Sequence, residues 1–310
     1  MVDEKSSGEK KVEVVTCYES GKIVQSPCHI RCPLEEDIQR THAMISMLPD
    51  GEEAVKEAMM RIGHDIYKKN PLFTILCGNI CGLCEEECNY NEETGSIRRR
   101  KIIQPIANLY NEYLKTSPCF PEPKKEKIAI VGGGPSGLMC AYTLSGKGYR
   151  VTIFERNSKI GGALRYIPKF RLPTKILDSL LNSIVRIAHI TLETDVEIGP
   201  SGISIKELKK KGFKAIYMAT GTPNPRILSI DSETPEFKEI IQRLVDGDET
   251  QGISFGLDIL YKVDRGDVPL DFYKGKKVIV VGGGNVAFDV ARTARRLGPL
   301  FYTFHRKIKI

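Results

Sequence analysis

Two glycine-rich turns carry the first readable chemistry in this sequence. Gly132-x-Gly134-x-x-Gly137 directly follows the apolar run Ile128–Val131. In that setting the first glycine permits a tight turn. The second lets backbone approach a pyrophosphate, and the third lets a helix pack on a sheet. The helix N-terminus, with Pro135 and Ser136 inside the loop, offers amide donors and partial positive charge to phosphates. Glu155 closes the next apolar run, where a carboxylate can accept hydrogen bonds from ribose hydroxyls, and Arg156 stands beside it.

Gly282-x-Gly284-x-x-Ala287 repeats the pattern after Val278–Val281, with Asn285 and Val286 in the loop. Shifted by 150, residues 127–156 overlay 277–306 without a gap, and Gly132, Gly134 and Gly148 meet Gly282, Gly284 and Gly298. At that offset His305 replaces Glu155, and Arg306 follows. A carboxylate there would repel a ribose 2′-phosphate, whereas an arginine would hold it, so NADP(H) is favoured over NAD(H). The plain alternative is that these basic residues form a solvated chain end.

Seven of the nine cysteines lie in the first 88 residues: Cys17, Cys28, Cys32, Cys77, Cys81, Cys84 and Cys88. Such clustering asks for a metal reading. On one straight helix Cys77, Cys81, Cys84 and Cys88 would share a face, yet the outer two would stand about 16 Å apart. Either the segment bends, which Gly78 and Gly82 permit, or the ligands divide between centres. Cys28-x-x-x-Cys32-Pro33 supplies further thiolates, and Cys-Pro also ends ferredoxin-type runs. Zinc is the competing reading, since thiolates suit it too. Cys119 stands apart, and Cys140 falls in a helical pattern as a small core residue.

These residues need elements to position them. Helices are expected over Leu34–Leu48, Gly51–Lys69, Ile97–Leu114, Gly137–Lys147 and Leu172–Ala188. Strands are expected at Ile128–Val131, Val151–Glu155 and Ala215–Ala219. Ser117–Lys125 holds three prolines and reads as a linker. Leu228–Val268 is less regular and reads as a connection. Arg98–Lys101 reads as a solvated helix start, with a docking patch for an acidic electron carrier as the minority view. The composition is globular, at 41% hydrophobic and 27% charged residues. A net charge of +7 does not argue for nucleic acid. No apolar run reaches the roughly 18 residues of a membrane span. The polar Met1–Lys11 lacks the apolar stretch of a signal peptide, so a cytoplasmic location is expected.

Gly161-Gly162, the run RYIPKFRLP (165–173) and Ala219-Thr220-Gly221 resemble the flavin domain of the glutamate synthase small-subunit family. The N-terminal half of dihydropyrimidine dehydrogenase is similar. The resemblance covers residues 27–310 and implies FAD held by Gly132, Gly134, Gly137, Glu155 and Gly162. It places Arg165 near that cofactor and the Ala219–Gly221 turn past the pyrophosphate. The family has a glycine between Tyr166 and Ile167 that this chain lacks. The resemblance also implies one [4Fe–4S] cluster on Cys32, Cys81 and Cys84, with Gln104 as a non-cysteine fourth ligand. Cys28 and Cys88 match ligands of a second cluster, for which only Cys17 remains upstream. Cys77 matches no ligand.

The expected architecture is therefore α/β. A tail (1–26) precedes a helical iron–sulfur domain (27–118), a linker (119–126), an FAD-binding domain (127–255) and a partial NAD(P)-binding domain (256–310). In the family the nicotinamide domain runs on and returns to the flavin with a Gly-Asp motif. Neither occurs before Ile310, so the second domain is expected to be truncated, split or completed by a partner. The expected function is electron passage between NAD(P)H, FAD, the clusters and a partner subunit. The rivals are a glutamate synthase small subunit proper and a non-catalytic fragment.

Overall fold

In the computed structural model, residues 26–222 and 252–299 are described with their side chains, together with 235, 238, 239, 242 and 243. For 18–19, 22–23 and 301–305 the backbone alone is described. Two short strands, β1 (Tyr18–Glu19) and β2 (Lys22–Ile23), pair antiparallel. Six helices follow: α1 (Pro27–Arg31), α2 (Ile38–Ser46), α3 (Glu52–Lys69), α4 (Phe73–Asn79), α5 (Leu83–Glu86) and α6 (Arg99–Leu114). Asp37 caps α2 by accepting from the Arg40 amide at 2.9 Å. Glu52 and Glu53 open α3, and Lys68 and Lys69 close it, each sign matching the helix dipole at its end.

The α/β part begins with β3 (Lys127–Val131), α7 (Pro135–Gly146) and β4 (Arg150–Glu155). It continues with α8 (Thr174–Ile187), β5 (Thr191–Thr194), α9 (Ile205–Lys210) and β6 (Ala215–Met218). The four strands form a parallel sheet in the order β5-β4-β3-β6. That order reverses between β3 and β6, the place where parallel α/β sheets open a ligand crevice at their carboxyl ends. After α10 (Gly256–Arg265), the strand β7 (Lys277–Val281), the helix α11 (Asn285–Arg296) and the strand β8 (Phe301–His305) form a second parallel βαβ unit.

One apolar core joins the helical layer to the four-stranded sheet. Tyr67, Leu72, Ile75, Tyr110 and Leu114 pack in the same cluster as Ile130, Leu138, Ile153, Leu180 and Ile184. The proline-rich stretch between them is pinned rather than hanging free. The Phe120 amide donates to the Ile187 carbonyl at 2.7 Å, and Arg186 Nη2 donates to the Leu114 carbonyl at 2.7 Å. Phe120 also stacks against Tyr142.

Several elements are absent from the sequence expectation: β1, β2, α1, α4, α5, β5 and α9. The helix α10 falls inside the stretch read as a connection. Signals for α9 and α10 were present. Ser204 and Glu207 form a capping box at the start of α9, and Gly266 ends α10 in the left-handed region. Cys77–Cys88 is not one helix: the chain breaks at Ile80–Gly82 between α4 and α5. Among the described residues no helix is long and apolar enough to cross a membrane.

Candidate functional site

The first glycine loop runs from the end of β3 to the start of α7. Gly132 has φ +104, which favours glycine. A Cβ on Gly132 would overlap the Ala219 carbonyl, and one on Gly137 would overlap the Gly132 carbonyl oxygen. Both are packing glycines. Gly134 is different. A Cβ there would meet only the Gly162 Cα, at an ordinary 3.8 Å, so the Gly134 backbone faces open space. The Gly161 amide donates to the Gly133 carbonyl at 2.8 Å, which closes the Gly161–Gly162 turn onto the loop. On the other side the Ala219 amide donates to the Val131 carbonyl at 2.8 Å, and exposed Thr220 and Gly221 follow. Ser136 Oγ lies 3.0 Å from the Tyr217 hydroxyl. The sequence-nominated residues Gly132–Gly137, Gly162 and Ala219–Gly221 thus meet at the crevice between β3 and β6.

Glu155 is buried, and its first task is structural. Its Oε2 accepts from the Gly133 amide at 2.8 Å. Its Oε1 accepts from the Asn157 amide at 2.9 Å and the Asn157 side chain at 2.8 Å. A carboxylate offers about four acceptor sites, so roughly one is left for a ribose hydroxyl. Arg156 is exposed beside Tyr166. Arg165 is turned onto the protein. Its Nε donates to the Ile160 carbonyl at 2.5 Å and its Nη2 to Asp178 Oδ1 at 2.9 Å, so it braces the glycine turn.

The second loop repeats the first in three dimensions. β7 and α11 begin 150 residues after β3 and α7. Gly282 has φ +136, and a Cβ there would stand 3.1 Å from the Ala287 Cβ. Nothing lies within 4 Å of a Cβ on Gly284. Asn285 and Val286 are exposed at the start of α11. The strand register corrects one expectation. Val131 pairs with Phe154, one residue before Glu155, whereas Val281 pairs with His305 itself. The cause is a loop before β8 that is one residue longer than the loop before β4. His305 is therefore the counterpart of Phe154, not of Glu155. The His305 side chain and Arg306 lie outside the described residues.

Segment 166–171 ties the two units together. Arg171 Nη1 donates to Asp289 Oδ2 at 2.6 Å and to Oδ1 at 2.8 Å. Phe170 lies under the guanidinium groups of Arg292 and Arg296. Tyr166 meets Tyr261 edge-on, and the Tyr261 hydroxyl donates to Asn157 Oδ1 at 3.0 Å. The Tyr261 contact thereby runs through Asn157 to Glu155 and the first glycine loop.

The break between α4 and α5 lets Cys77, Cys81 and Cys84 line, together with Cys32, a small open cavity of about 20 Å³. A neighbouring cavity is lined by Cys28, Cys84, Cys88 and His42. Burial pushes the Cys84 thiol up to about 11, with Arg99 opposing the shift. Cys77 is pushed further up by deeper burial. Burial, and then the Arg99 charge, lower His42 to about 4, which keeps its imidazole neutral. Among the described residues no three His, Cys, Asp or Glu side chains converge as a single metal ion would require. Gln104 is not brought into the cavity. Its Nε2 donates to Asn79 Oδ1 at 3.0 Å, and α6 presents Arg99 and Arg100 to the cysteines instead. Cys17 lies outside the described residues. Sequence reasoning missed Arg99, Glu36 and His42. The Arg98–Lys101 run was read as solvated, yet Arg99 is only 4% exposed.

Residues 130–179 match the family described as NAD(P)-binding Rossmann-like domain. The chain is 32% identical over 291 residues to NADPH-Fe(3+) oxidoreductase subunit beta of Geobacter sulfurreducens, covering 91% of this chain and 39% of that protein. Its homologues are oxidoreductase subunits. The glutamate synthase [NADPH] small chain of Escherichia coli is 25% identical over 304 residues, covering 96% of this chain and 59% of that one. The NAD-dependent dihydropyrimidine dehydrogenase subunit PreT of Salmonella typhimurium is 29% identical over 243 residues, covering 74% and 52%. The resemblance drawn from the glycine and RYIPKFRLP motifs is borne out by these relatives. The chain spans between about two fifths and three fifths of their lengths.

Proposed function

We propose that this chain is an electron-transfer module of an NAD(P)H-dependent oxidoreductase. In this reading FAD binds the first glycine loop (domain 127–255) and NADP(H) the second (256–310). An iron–sulfur centre sits in the helical region (27–118), and the electrons go to a partner protein. The observation that carries the reading is the doubled βαβ unit, with Gly134 and Gly284 each facing open space where a pyrophosphate would approach. When bound, these groups supply hydride transfer followed by single-electron transfer.

The residues of this chain bind and orient. The amides at the N-termini of α7 and α11 would donate to the pyrophosphates. Glu155 fixes the first loop through Gly133 and keeps one acceptor site for ribose. Arg306, which follows His305 in the sequence, supports a 2′-phosphate and hence NADP(H) over NAD(H). Segment 166–171 holds one loop relative to the other. Cys32, Cys81 and Cys84 are the thiolates that would hold a [4Fe–4S] cluster, and Cys28, Cys88 and Cys17 those for a second. Zinc is disfavoured because the thiols ring a cavity rather than converge on a point.

The relatives' names as subunits and small chains support a protein partner. A pull-down with a glutaminase-type large subunit separates glutamate synthase from other assemblies. The direct test is spectroscopic. The 310-residue chain, purified anaerobically, is expected to hold near-stoichiometric FAD with a flavin band that bleaches when NADPH is added. A reconstituted chain with no flavin band sinks the proposal and leaves a non-catalytic fragment.

A further inference from the structure

Arg99 is the most anomalous charge in the described part of the molecule. It opens α6 in a run of four basic residues, yet its side chain is buried. Its neighbour Arg100 is neutralised by Glu85: the Arg100 Nε and Nη2 donate to Oε2 at 3.1 and 2.9 Å, and the Arg100 amide donates to Oε1 at 2.7 Å. Arg99 has no such arrangement. Both of its terminal nitrogens, Nη1 and Nη2, are buried without a hydrogen-bond partner. Its nearest carboxylate oxygen, Glu36 Oε1, stands 3.7 Å away and accepts instead from Thr41 Oγ1 at 2.8 Å. Glu36 is also shared with Lys69 at 3.9 Å.

A buried cation with unmade hydrogen bonds is costly, by several kcal/mol in typical proteins. Such a group calls for an anion with acceptor atoms. Arg99 shares the lining of one cavity with the thiols of Cys32, Cys77, Cys81 and Cys84, beside Glu36 and apolar residues, and of a second with Cys28, Cys84 and Cys88. Thiolates carrying an iron–sulfur cluster bear net negative charge, and their sulfurs accept N–H hydrogen bonds that raise the cluster's potential.

We infer that Arg99 is the buried counter-charge of an anionic iron–sulfur cluster in the adjoining cysteine cavity, donating N–H···S hydrogen bonds from Nη1 and Nη2. This rests on the cluster reading above. Arg99 is a positioning and tuning residue, not a ligand. One-electron reduction adds negative charge to the cluster, and the guanidinium stabilises the reduced form more than the oxidised one. Its removal therefore lowers the potential.

The test is a redox titration followed by electron paramagnetic resonance, with dithionite as the electron donor. It uses the anaerobically purified full chain, with iron and sulfide measured on every sample. Arg99→Gln removes the charge, and Arg99→Lys keeps a cation but loses the two-nitrogen fork. The expected order of potential is wild type, then Lys, then Gln. The same order is expected for resistance to iron loss in a chelator. That second measurement covers a Gln variant that holds too little cluster to titrate. If the Gln variant does not fold, the Lys variant alone decides, by faster iron loss or a lower potential than wild type. Variants that keep wild-type iron retention and wild-type potential would overturn the inference. A wild-type chain without iron and sulfide overturns the cluster reading instead.

Discussion

At the scale of single residues, glycines that look alike in sequence divide by what surrounds them. Gly137→Ala drives a methyl into the Gly132 carbonyl. It is expected to cost upward of about 3 kcal/mol and to lose the dinucleotide through unfolding. Gly134→Ala meets nothing closer than 3.8 Å. It is expected to melt within about 1 kcal/mol of wild type while losing FAD. Thermal melts beside flavin content separate the two; equal destabilisation would refute the division. Gln104 gives a second residue-scale prediction. Gln104→Leu deletes the hydrogen bond to Asn79 and is expected to cost about 1 kcal/mol without changing iron content. Iron loss in that variant would restore Gln104 as a ligand. The glycine pattern announced these loops because backbone sterics are local. The roles of Arg165 and Gln104 were not legible, because partners such as Asp178 and Asn79 are set by packing.

At the scale of elements, the second βαβ unit copies the first closely enough that β7 and α11 keep the offset of 150. The single residue added before β8 then shifts the strand end. Counting along the chain cannot see that shift, because register is settled between strands. The joint between the units is also an element-scale feature. Arg171 and Asp289 are largely buried, and breaking the pair leaves one charge stranded. Arg171→Met is expected to destabilise α11 by about 2–3 kcal/mol, short of the full cost for a wholly buried pair. The variant should expose α11 to limited proteolysis. The double variant Arg171→Met with Asp289→Leu is expected to recover most of that loss. Unchanged proteolysis in the single variant would show that the clamp rests on the Phe170 and Tyr166 contacts alone.

At the scale of the whole molecule, the helical layer and the four-stranded sheet share one core. Ile75, on α4, belongs to that core and is 1% exposed. Ile75→Ala is expected to cost about 2–5 kcal/mol. Because the core is shared, helix content and the sheet's thermal transition should fall together in one step. Two separate transitions in circular dichroism and flavin release would mean that the cysteine region folds independently.

The sequence alone determined the two glycine turns, the helix that follows each, and the parallel α/β class, because these depend on local sterics and the period of apolar residues. Only the tertiary structure decided which glycines face open space and that His305 is not the register match of Glu155 in the second unit. It also decided that one arginine of a basic run is buried against the thiols. Those outcomes depend on register, helix breaks and burial, which bring together residues that are distant along the chain.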